Sequence, residues 1–350
     1  MPKILYAIQG TGNGHVARAR EVIPILRRFG ELDIFLGGDQ SEVDLPQPVK
    51  YHSKGLTFLY NRSGAISLPQ TILKNNLPAI WREIKACPVD QYDLVINDFE
   101  FITAWACRLK RKKCYSLSHQ AAYLSAKSPR PRPRKLIGEA ILRYYAPASK
   151  RLGFHFEAYD HFIHPPVIRS EIRAAGVSNA GHYTVYLPAY DNETIYRHLK
   201  MVSNRHWQVF SRYCEQPYCR GNVQFYPVNN ERFLESFLAC EGVLTSAGFE
   251  TPAEAIFLGK KLFVIPIRSQ YEQACNAAAL KKLGVPMARQ LNDRALTLIQ
   301  DWVYSAEPLQ MDFSDSIYQI IKTKIMEPEG LIDRGSDRNP SAERPVYANP

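Results

Sequence analysis

The chain of 350 residues is 45% hydrophobic and 11% aromatic, which is enough apolar material for the cores of two domains of ordinary size. No run approaches the roughly 18 apolar residues that a membrane-spanning helix needs, so we expect no such helix. Seven scattered cysteines without a C-x-x-C pair are typical of a reduced, cytoplasmic protein and argue against a disulfide framework or a zinc site.

Positive charge is concentrated in the N-terminal half. The sequence has 44 Lys and Arg residues against 34 Asp and Glu residues, a formal net charge of +10. The excess is clustered at Arg108, Lys110, Arg111, Lys112 and Lys113, and at Lys127, Arg130, Arg132, Arg134 and Lys135. An ordinary solvated surface and an anionic membrane surface both fit this pattern, whereas no nucleic-acid-binding element accompanies it. Arg130, Arg132 and Arg134 are therefore our candidate membrane-facing residues, which would make the protein cytoplasmic and peripheral on the inner face of the membrane.

Short apolar runs alternate with helical patterns through the first half. Strands are predicted at Ile4–Ile8, Leu32–Leu36, Leu94–Asn97, Tyr115–Leu117 and Phe162–His164. Helices are predicted at His15–Phe29, Leu68–Ala86 with a break near Pro78, Phe99–Lys110 and Gly138–Ala146. Strands that alternate with helices predict a parallel, doubly wound sheet.

A second series of the same kind begins near Tyr183. Strands are predicted at Tyr183–Leu187, Trp207–Phe210, Val223–Phe225, Val243–Thr245 and Leu262–Ile265, and helices at Glu231–Ala239, Asp293–Ser305 and Phe313–Ile325. The predicted fold class is α/β, with two Rossmann-like doubly wound parallel-sheet domains facing a cleft. The domains are residues 1–165 and 183–310, joined by a linker at 166–182; a C-terminal helix occupies 311–328, and a disordered tail follows at 329–350.

A glycine-rich loop joins the first strand to the first helix, which opens at His15. A dinucleotide-binding fingerprint would need glycine at His15 and an acid at the end of the second strand, where Gly37 and Gly38 stand. NAD is therefore disfavoured. The helix dipole disfavours a positive charge at a helix N-terminus, so a neutral His15 at this sheet edge suits a general base. The alternative is an ordinary helix-terminal histidine.

Two more polar side chains follow strands that end at the same sheet edge. Asp98 comes directly after Leu94–Asn97. It could hold the imidazole tautomer of His15, or it could only cap the helix that follows. His119 comes after Tyr115–Leu117 and is either a site residue or a loop histidine.

The stretch 242–284 carries the most specific pattern in the chain. Two β runs each lead into a helix, whose free N–H groups suit a phosphate. The pattern small-Gly-x-x-[Ser/Thr]-x-x-Glu-Ala, then Pro, an acid–Gln pair and Asn-Ala is carried by Ala247, Gly248, Thr251, Glu254, Ala255, Pro266, Glu272, Gln273, Asn276 and Ala277. It resembles the nucleotide-sugar box of GT-B glycosyltransferases, both the plant and antibiotic type and the type that builds the lipid-linked peptidoglycan precursor. The alternative is an ordinary βαβ segment without a ligand.

This resemblance implies a nucleotide-diphosphate sugar as donor, with UDP the favoured nucleotide. By the same resemblance, Phe225 and Val228 would lie at the nucleobase, Ser246, Ala247 and Gly248 at the diphosphate, Glu254 at the ribose, and Glu272 and Gln273 at the sugar, with Thr251 and Asn276 also on the donor side. We expect no cofactor and no metal, because a helix N-terminus can stabilise the departing diphosphate.

The resemblance extends to the N-terminal half. The glycine-rich loop is similar to the GT-B loop that ends in Gly-His, so Gly12, Asn13 and Gly14 would line the acceptor side of the cleft. His15 and Asp98 would then be the catalytic pair, and His119 an acceptor-side residue. The implied activity is that of a hexosyl-transferring glycosyltransferase, inverting and metal-independent, acting on a small-molecule, lipid or lipid-linked acceptor. The last helix would cross back onto the first domain.

Two departures weaken the phosphate side of this match. Ser246 stands where the plant branch has histidine, and Leu187–Asn192 contains no glycine where the lipid-precursor branch has a Gly-Ser-rich loop. Two other functions stay open on the sequence. One is a sugar-nucleotide 2-epimerase or hydrolase of the same fold, and the other is a non-catalytic nucleotide-sugar-binding module.

Overall fold

The computed structural model describes residues 1–11, 13–38, 45, 47–56, 73–268 and 270–332. These residues form two β-sheets, one from each half of the chain, which are flanked by helices. The predicted α/β class with two Rossmann-like domains is confirmed. Among the described residues, no helix is long and apolar enough to cross a membrane.

The N-terminal sheet has seven parallel strands in the order β3-β2-β1-β4-β5-β6-β7. They are β1 Lys3–Gln9, β2 Glu31–Gly37, β3 Tyr51–Ser53, β4 Leu94–Asp98, β5 Cys114–Ser118, β6 Lys150–Phe154 and β7 Ile163–His164. Alternate side chains of β1 enter two different apolar clusters: Ile4, Tyr6 and Ile8 enter one, Leu5 and Ala7 the other. Both faces of the sheet are therefore covered, which explains why β1 is an unbroken apolar run.

The helices of this half begin where the sequence supplies suitable caps or first-turn residues. They are α1 Asn13–Arg27, α2 Leu77–Ala86, α3 Phe101–Leu109 and α4 Leu136–Tyr144, with 3₁₀ turns at Val89–Gln91 and Gln120–Leu124. Asn76 caps α2, which has a proline in its first turn. The Glu100 carboxylate caps α3 by accepting from the backbone N–H groups of Ile102 and Thr103. This cap explains why α3 starts at Phe101 and not at Phe99, as predicted.

The C-terminal sheet has six strands in the order β10-β11-β9-β8-β12-β13. They are β8 His182–Tyr186, β9 His206–Phe210, β10 Tyr218–Arg220, β11 Val223–Tyr226, β12 Gly242–Thr245 and β13 Lys261–Val264. Only the edge strand β10 is antiparallel. The helices from the linker onward are α5 Ser170–Ala174, α6 Asn192–Leu199, α7 Asn230–Ala239, α8 Glu250–Phe257, α9 Tyr271–Lys282, α10 Asp293–Ser305 and α11 Ile317–Ile321, with a π-helical turn at Lys322–Met326.

Several contacts join the two halves through the linker and the last helix. Lys260 Nζ donates to the carbonyl oxygens of Ser178, Leu238 and Cys240, at 2.7, 2.8 and 2.7 Å. Arg173 donates to the carbonyl oxygen of Phe313 at 2.6 Å. Beyond it, the ring of Tyr318 on α11 stacks on that of Phe29, with centroids 5.5 Å apart. The last helix therefore packs against the N-terminal half.

Some predicted elements differ from the structure. The pattern misses β3, β6 and α6, which are short or polar, and the edge strand β10. The predicted helix at Leu68–Ala86 is interrupted just before Pro78, as expected: Asn75 and Asn76 separate the helical residues Leu73 and Lys74 from α2, which begins at Leu77. Residues 57–72 of this region and 333–350 of the predicted tail lie outside the described residues. The predicted helix at Phe313–Ile325 is shorter, since its α-helical part begins at Ile317.

Candidate active site

His15 and Asp98 meet at the C-terminal edge of the first sheet. His15 lies in the first turn of α1, directly after β1, and Asp98 is the last residue of the neighbouring strand β4. Nδ1 of His15 is 2.8 Å from Oδ1 of Asp98. Parallel strands end at one edge, so two residues 83 positions apart are brought into hydrogen-bond contact by the topology.

Arg18 completes this arrangement from one turn further along α1. Its Nε donates to Oδ2 of Asp98 at 3.0 Å and its Nη2 to Oδ1 at 2.8 Å. Both side chains are buried. Burial alone would raise the pKa of Asp98, but the charge of Arg18 and the contact with His15 outweigh it, and the pKa is lowered. Asp98 is therefore ionised at neutral pH.

The ionised carboxylate fixes the tautomer of His15. A carboxylate can only accept hydrogen bonds, so Nδ1 of His15 carries the proton and Nε2 is left with its lone pair. Nη2 of Arg18 lies 3.1 Å from the same Nδ1. The arrangement leaves Nε2 as the nitrogen that a general base would use, and the amide of Gln120 lies 3.3 Å from it.

Gln120 lies between His15 and the second half of the molecule. Its Nε2 is 3.3 Å from Nε2 of His15 and donates to Oε2 of Glu272 at 2.9 Å. Its buried Oε1 has no partner within the described residues. An amide group therefore occupies the space between the candidate base and the carboxylate predicted to contact the donor sugar.

An aromatic wall lies beside the histidine. Phe99 has φ of +58°, a left-handed conformation that is rare and strained for a bulky residue. Its ring is nearly parallel to that of His15, with centroids 6.4 Å apart, and 5.0 Å from that of Tyr145. The β4–α3 corner therefore places an apolar surface next to the candidate base.

The donor-side turn follows β12 at the matching edge of the second sheet. Ser246, Ala247 and Gly248 lead into α8, and the helix begins without a side-chain cap. A Cβ at Gly248 would meet nothing within 4 Å, so this turn has open space in front of it. Thr251 lies in the first turn of α8 and is partly exposed.

Glu254 is engaged within the protein. Its two carboxylate oxygens accept from Nε and Nη2 of Arg169, at 2.7 and 2.9 Å, and its side chain is only 2% exposed. The predicted contact with a ribose therefore competes with a bidentate ion pair in this structure. Glu250, one turn earlier, is the carboxylate of α8 that reaches the N-terminal half, where it accepts from Nη1 of Arg18.

Gln273 and Asn276 also make internal contacts. The side chain of Gln273 accepts from the backbone N–H of Ile267 at 2.9 Å. Asn276 donates to the carbonyl oxygen of Ala247 at 3.0 Å, and its Oδ1 is 2.7 Å from Nε2 of His119. These contacts tie α9 to the donor-side turn and to the first half.

His119 therefore connects the two halves. Its Nδ1 is 2.8 Å from the carbonyl oxygen of Phe154, and its ring stacks on that of Phe249, with centroids 3.7 Å apart. Burial lowers the pKa of His119, although Glu272 and the hydrogen bonds oppose this. A buried, stacked ring of this kind is held in place on both sides.

The remaining predicted residues lie on β11, in the turn after it, and at the glycine-rich start of α1. Phe225 is buried and stacks on Tyr218, with centroids 4.8 Å apart, while Val228 is partly exposed after β11. Asn13 and Gly14 form the start of α1. Gly12 lies outside the described residues.

The prediction that Arg130 faces a membrane is wrong. Its guanidinium is 6% exposed, donates to Oε1 of Glu139 at 2.8 Å and to the carbonyl oxygen of Tyr123 at 2.5 Å, and lies over the Tyr123 ring. A charged segment was read as uniformly exposed, although arginine stems and heads can pack inward against aromatic rings and carbonyls. Arg132 and Arg134 are exposed.

Sequence reasoning missed Arg18, Gln120, Arg169 and Glu250 as members of the site. Arg18 could have been found, since it stands three residues after His15 and so lies on the same helix face. Gln120 is adjacent to His119 on a 3₁₀ turn. Arg169 and Glu250 carry no local signal, because their partners lie in distant parts of the chain. No group of three or more His, Cys, Asp or Glu side chains in the described ranges is placed to hold a metal ion.

Comparisons with known proteins agree with this architecture. A family model described as Glycosyl transferase family 1 matches residues 2–306. No curated protein matches the chain by sequence. Among solved structures, Arabidopsis thaliana UGT89C1 complexed with UDP is 14% identical, with 93% of this chain and 95% of that chain covered and a TM-score of 0.54. Phytolacca americana UGT2 complexed with UDP-2fluoro-glucose and pterostilbene is 14% identical, with 97% and 96% covered and a TM-score of 0.57. At such identities the likeness shows a shared fold.

Proposed function

This chain belongs to glycosyl transferase family 1 and is a glycosyltransferase, and we propose that it moves a sugar from a UDP-sugar to an acceptor hydroxyl, with His15 as the general base. The observation that carries the proposal is the contact of His15 with the buried, ionised Asp98 at the edge that faces the start of α8. That contact leaves Nε2 free to accept a proton.

The reaction would proceed by a single displacement. The acceptor oxygen bonds to the anomeric carbon while the bond from that carbon to the diphosphate oxygen breaks, and the diphosphate leaves with the electron pair. The acceptor proton passes to Nε2 of His15, and Asp98 stabilises the imidazolium that forms. Attack opposite the leaving group inverts the anomeric carbon.

The donor assignment rests on the C-terminal half. The start of α8 has no side-chain cap and lies behind the open turn at Gly248, so its N–H groups and dipole are available to a diphosphate without a metal ion. By the family resemblance Glu272, which accepts a hydrogen bond from Gln120, would bind a sugar hydroxyl. UDP is favoured because two of the structurally similar proteins are described as complexes with UDP or a UDP-sugar analogue.

The acceptor would be a lipid or lipid-linked molecule at an anionic membrane. The segment 132–137 is exposed throughout and combines Arg132, Arg134 and Lys135 with Leu136 and Ile137, which are 84% and 47% exposed. It leads into α4, which packs against α9 where Tyr271 donates to Glu139 at 2.6 Å. The basic side chains suit the anionic headgroups of a lipid surface, and the exposed apolar ones suit the acyl chains below. We expect this segment to lie at the rim of the cleft.

A panel of nucleotide sugars tests the donor. We expect UDP-sugars to raise the melting temperature and UDP to bind in calorimetry, and ADP and GDP analogues to do so less. Rapid epimerisation or stoichiometric hydrolysis of the UDP-sugar without an acceptor would support the epimerase or hydrolase alternative. A protein that binds no nucleotide in the panel contradicts the proposal.

Vesicle binding tests the membrane surface. Binding should rise with the fraction of anionic lipid and fall with salt, since exposed charges are screened over about 8 Å at physiological ionic strength. Replacing Arg132 and Arg134 with Ser should weaken it by about 1 kcal/mol per residue, while UDP affinity is unchanged. The matched control replaces the exposed Arg197 and Lys200 of the other half. Wild-type protein that ignores anionic vesicles at low salt would make a water-soluble acceptor the better proposal.

A further inference from the structure

One guanidinium connects the two halves of the candidate site. Arg18 is buried on α1 of the N-terminal half, and it binds Asp98 through two nitrogens. Its third nitrogen donates to Glu250, the first residue of α8 in the C-terminal half. His15 lies beside it on the same helix, the buried Tyr6 of β1 also faces it, and Gln120 connects it to Glu272. The ring of Phe154 lies 5.9 Å below the guanidinium.

Glu250 approaches the backbone of α1 closely. A Cβ at Gly14 would overlap the Glu250 carboxylate, so a larger residue there would displace the end of the Glu250 side chain. Burial opposes the charge on Arg18, but Asp98 and Glu250 outweigh it, and the pKa of Arg18 is raised. Arg18 is therefore a permanent cation, shared between one carboxylate from each half.

We propose that Arg18 and Glu250 are positioning residues that complete the His15–Asp98 pair only when the C-terminal half is docked against it. With Glu250 in place, the positive charge of Arg18 is divided between two carboxylates, and His15 can accept a proton beside it. When the halves separate, the whole charge of Arg18 falls on Asp98 and His15, which makes the imidazole a weaker base. Closure of the two halves over the donor would thereby make His15 a stronger base.

This inference rests on the proposed function, because it takes His15 to be the base. The proposed role differs from that of a purely structural ion pair in one respect, which is its effect on the protonation of His15. Removing the negative charge of Glu250 should make His15 harder to protonate. Removing the positive charge of Arg18 should make it easier, because Asp98 would then be uncompensated. An ion pair that does not influence His15 predicts no such opposite pair of shifts.

NMR of the full chain with labelled histidine tests this without any substrate. The His15 signal is assigned by its loss in His15→Gln, and the ring is titrated between about pH 5 and pH 8, where histidine changes charge. We expect the midpoint to fall by about 0.5–1 pH unit in Glu250→Gln and to rise by a similar amount in Arg18→Met. Glu241→Gln, which removes an equal charge from a pair with Lys261 far from Arg18, should leave it unchanged.

Turnover gives the second readout. Glu250→Gln should lower kcat about tenfold and shift the acid limb of the pH profile in the same direction as the NMR midpoint. If Arg18→Met does not fold, Glu250→Gln decides alone, because Glu250 is 21% exposed and glutamine has its shape. An unmoved His15 midpoint in folded Glu250→Gln overturns the inference. A wild-type protein that fails to bind UDP overturns the proposed function instead.

Discussion

The two halves of the candidate site differ in whether the residues that their sequence patterns predicted contact one another in the structure. In the N-terminal half, a weak pattern gave two residues that meet at 2.8 Å, His15 and Asp98. In the C-terminal half, a long and specific pattern gave side chains that mostly bind other parts of the protein. Glu254 pairs with Arg169, Asn276 with His119 and Ala247, and Gln273 with the backbone of Ile267.

The difference has a physical cause. Polar residues at the ends of neighbouring parallel strands must meet, because the sheet itself brings those ends together. Polar residues on a helix face can be satisfied by any segment that packs there, and the linker and the first half both pack against α8 and α9. A pattern along a helix therefore predicts which face carries the polar residues. It does not predict their partners, which depend on the segments that pack there in the tertiary fold.

Replacement of the candidate base should have the largest effect. His15→Ala should lower kcat by about 10²–10⁴, since the proton of the acceptor would lose its recipient in the transition state. Calorimetry should show nearly unchanged UDP affinity, because His15 belongs to the half opposite the donor turn. Turnover close to that of the wild type would remove His15 from the mechanism.

Asp98→Asn should reduce kcat by a comparable factor, because an amide does not fix the tautomer of His15 or stabilise its cation. If the two residues act as one unit, the double variant His15→Ala/Asp98→Asn should be no slower than the slower single variant. Multiplicative losses would show that Asp98 acts mainly by holding Arg18. Circular dichroism serves as the folding control, since Arg18 loses a buried partner.

The pair of Glu254 and Arg169 tests the C-terminal half. Arg169→Met leaves the buried carboxylate of Glu254 without its partner and should lower the free energy of unfolding by about 3–5 kcal/mol, as measured by urea denaturation. Glu254→Ala should cost less, because Arg169 keeps its ion pair with Glu171. The double variant should recover part of that loss.

The ribose role of Glu254 stays a prediction that the same variants can decide. If Glu254 binds the ribose, folded Glu254→Gln should lose about 1–3 kcal/mol of UDP binding, and folded Arg169→Met should keep its affinity because the carboxylate is released. If folded Glu254→Gln binds UDP as tightly as the wild type, Glu254 has only its internal role. The difference between the two halves would then be larger.

Acidification should have the smallest effect and should act where the halves meet. Burial lowers the pKa values of His119 and His155 below the ordinary value of histidine. The unfolded chain therefore binds protons first, and the stability that these rings contribute is present above about pH 6.5 and is lost as the pH falls below it. We expect a loss of at most about 1.4 kcal/mol per pH unit for each ring.

Urea denaturation at about pH 7.5 and pH 5.5, on either side of the ordinary histidine pKa, measures this loss. The change in the free energy of unfolding between these pH values should be smaller in His155→Phe. It should be retained in His161→Ala, which replaces an exposed histidine. Stability that is equal at both pH values would mean that neither ring is buried as described.

The sequence predicted the architecture well and the side-chain partnerships poorly. Alternation of strands and helices gave the two sheets and most of their central strands, because buried parallel strands are unbroken apolar runs. It missed β3 and β10, which have three residues each, and β6, which begins with two exposed basic residues. Arg130 was misplaced, because a run of basic residues does not say which guanidinium turns inward. Arg169 and Glu250 were missed, because their partners are 85 and 232 residues away.

The contacts of the linker decide how the molecule can bend. Arg169 is held by Glu254, Arg173 by the carbonyl of Phe313, and Ser178 by Lys260, so residues 169–178 are fastened to the C-terminal half. This part of the linker is therefore held mainly by that half, although Ser170 also lies 3.3 Å from Glu21 of the N-terminal half and Ile168 is buried. Pro165 and Pro166 precede it, and because proline fixes φ, we expect a stiff hinge there. An opening motion should then be a small rotation about residues 165–168 that admits a donor at the edge of the cleft.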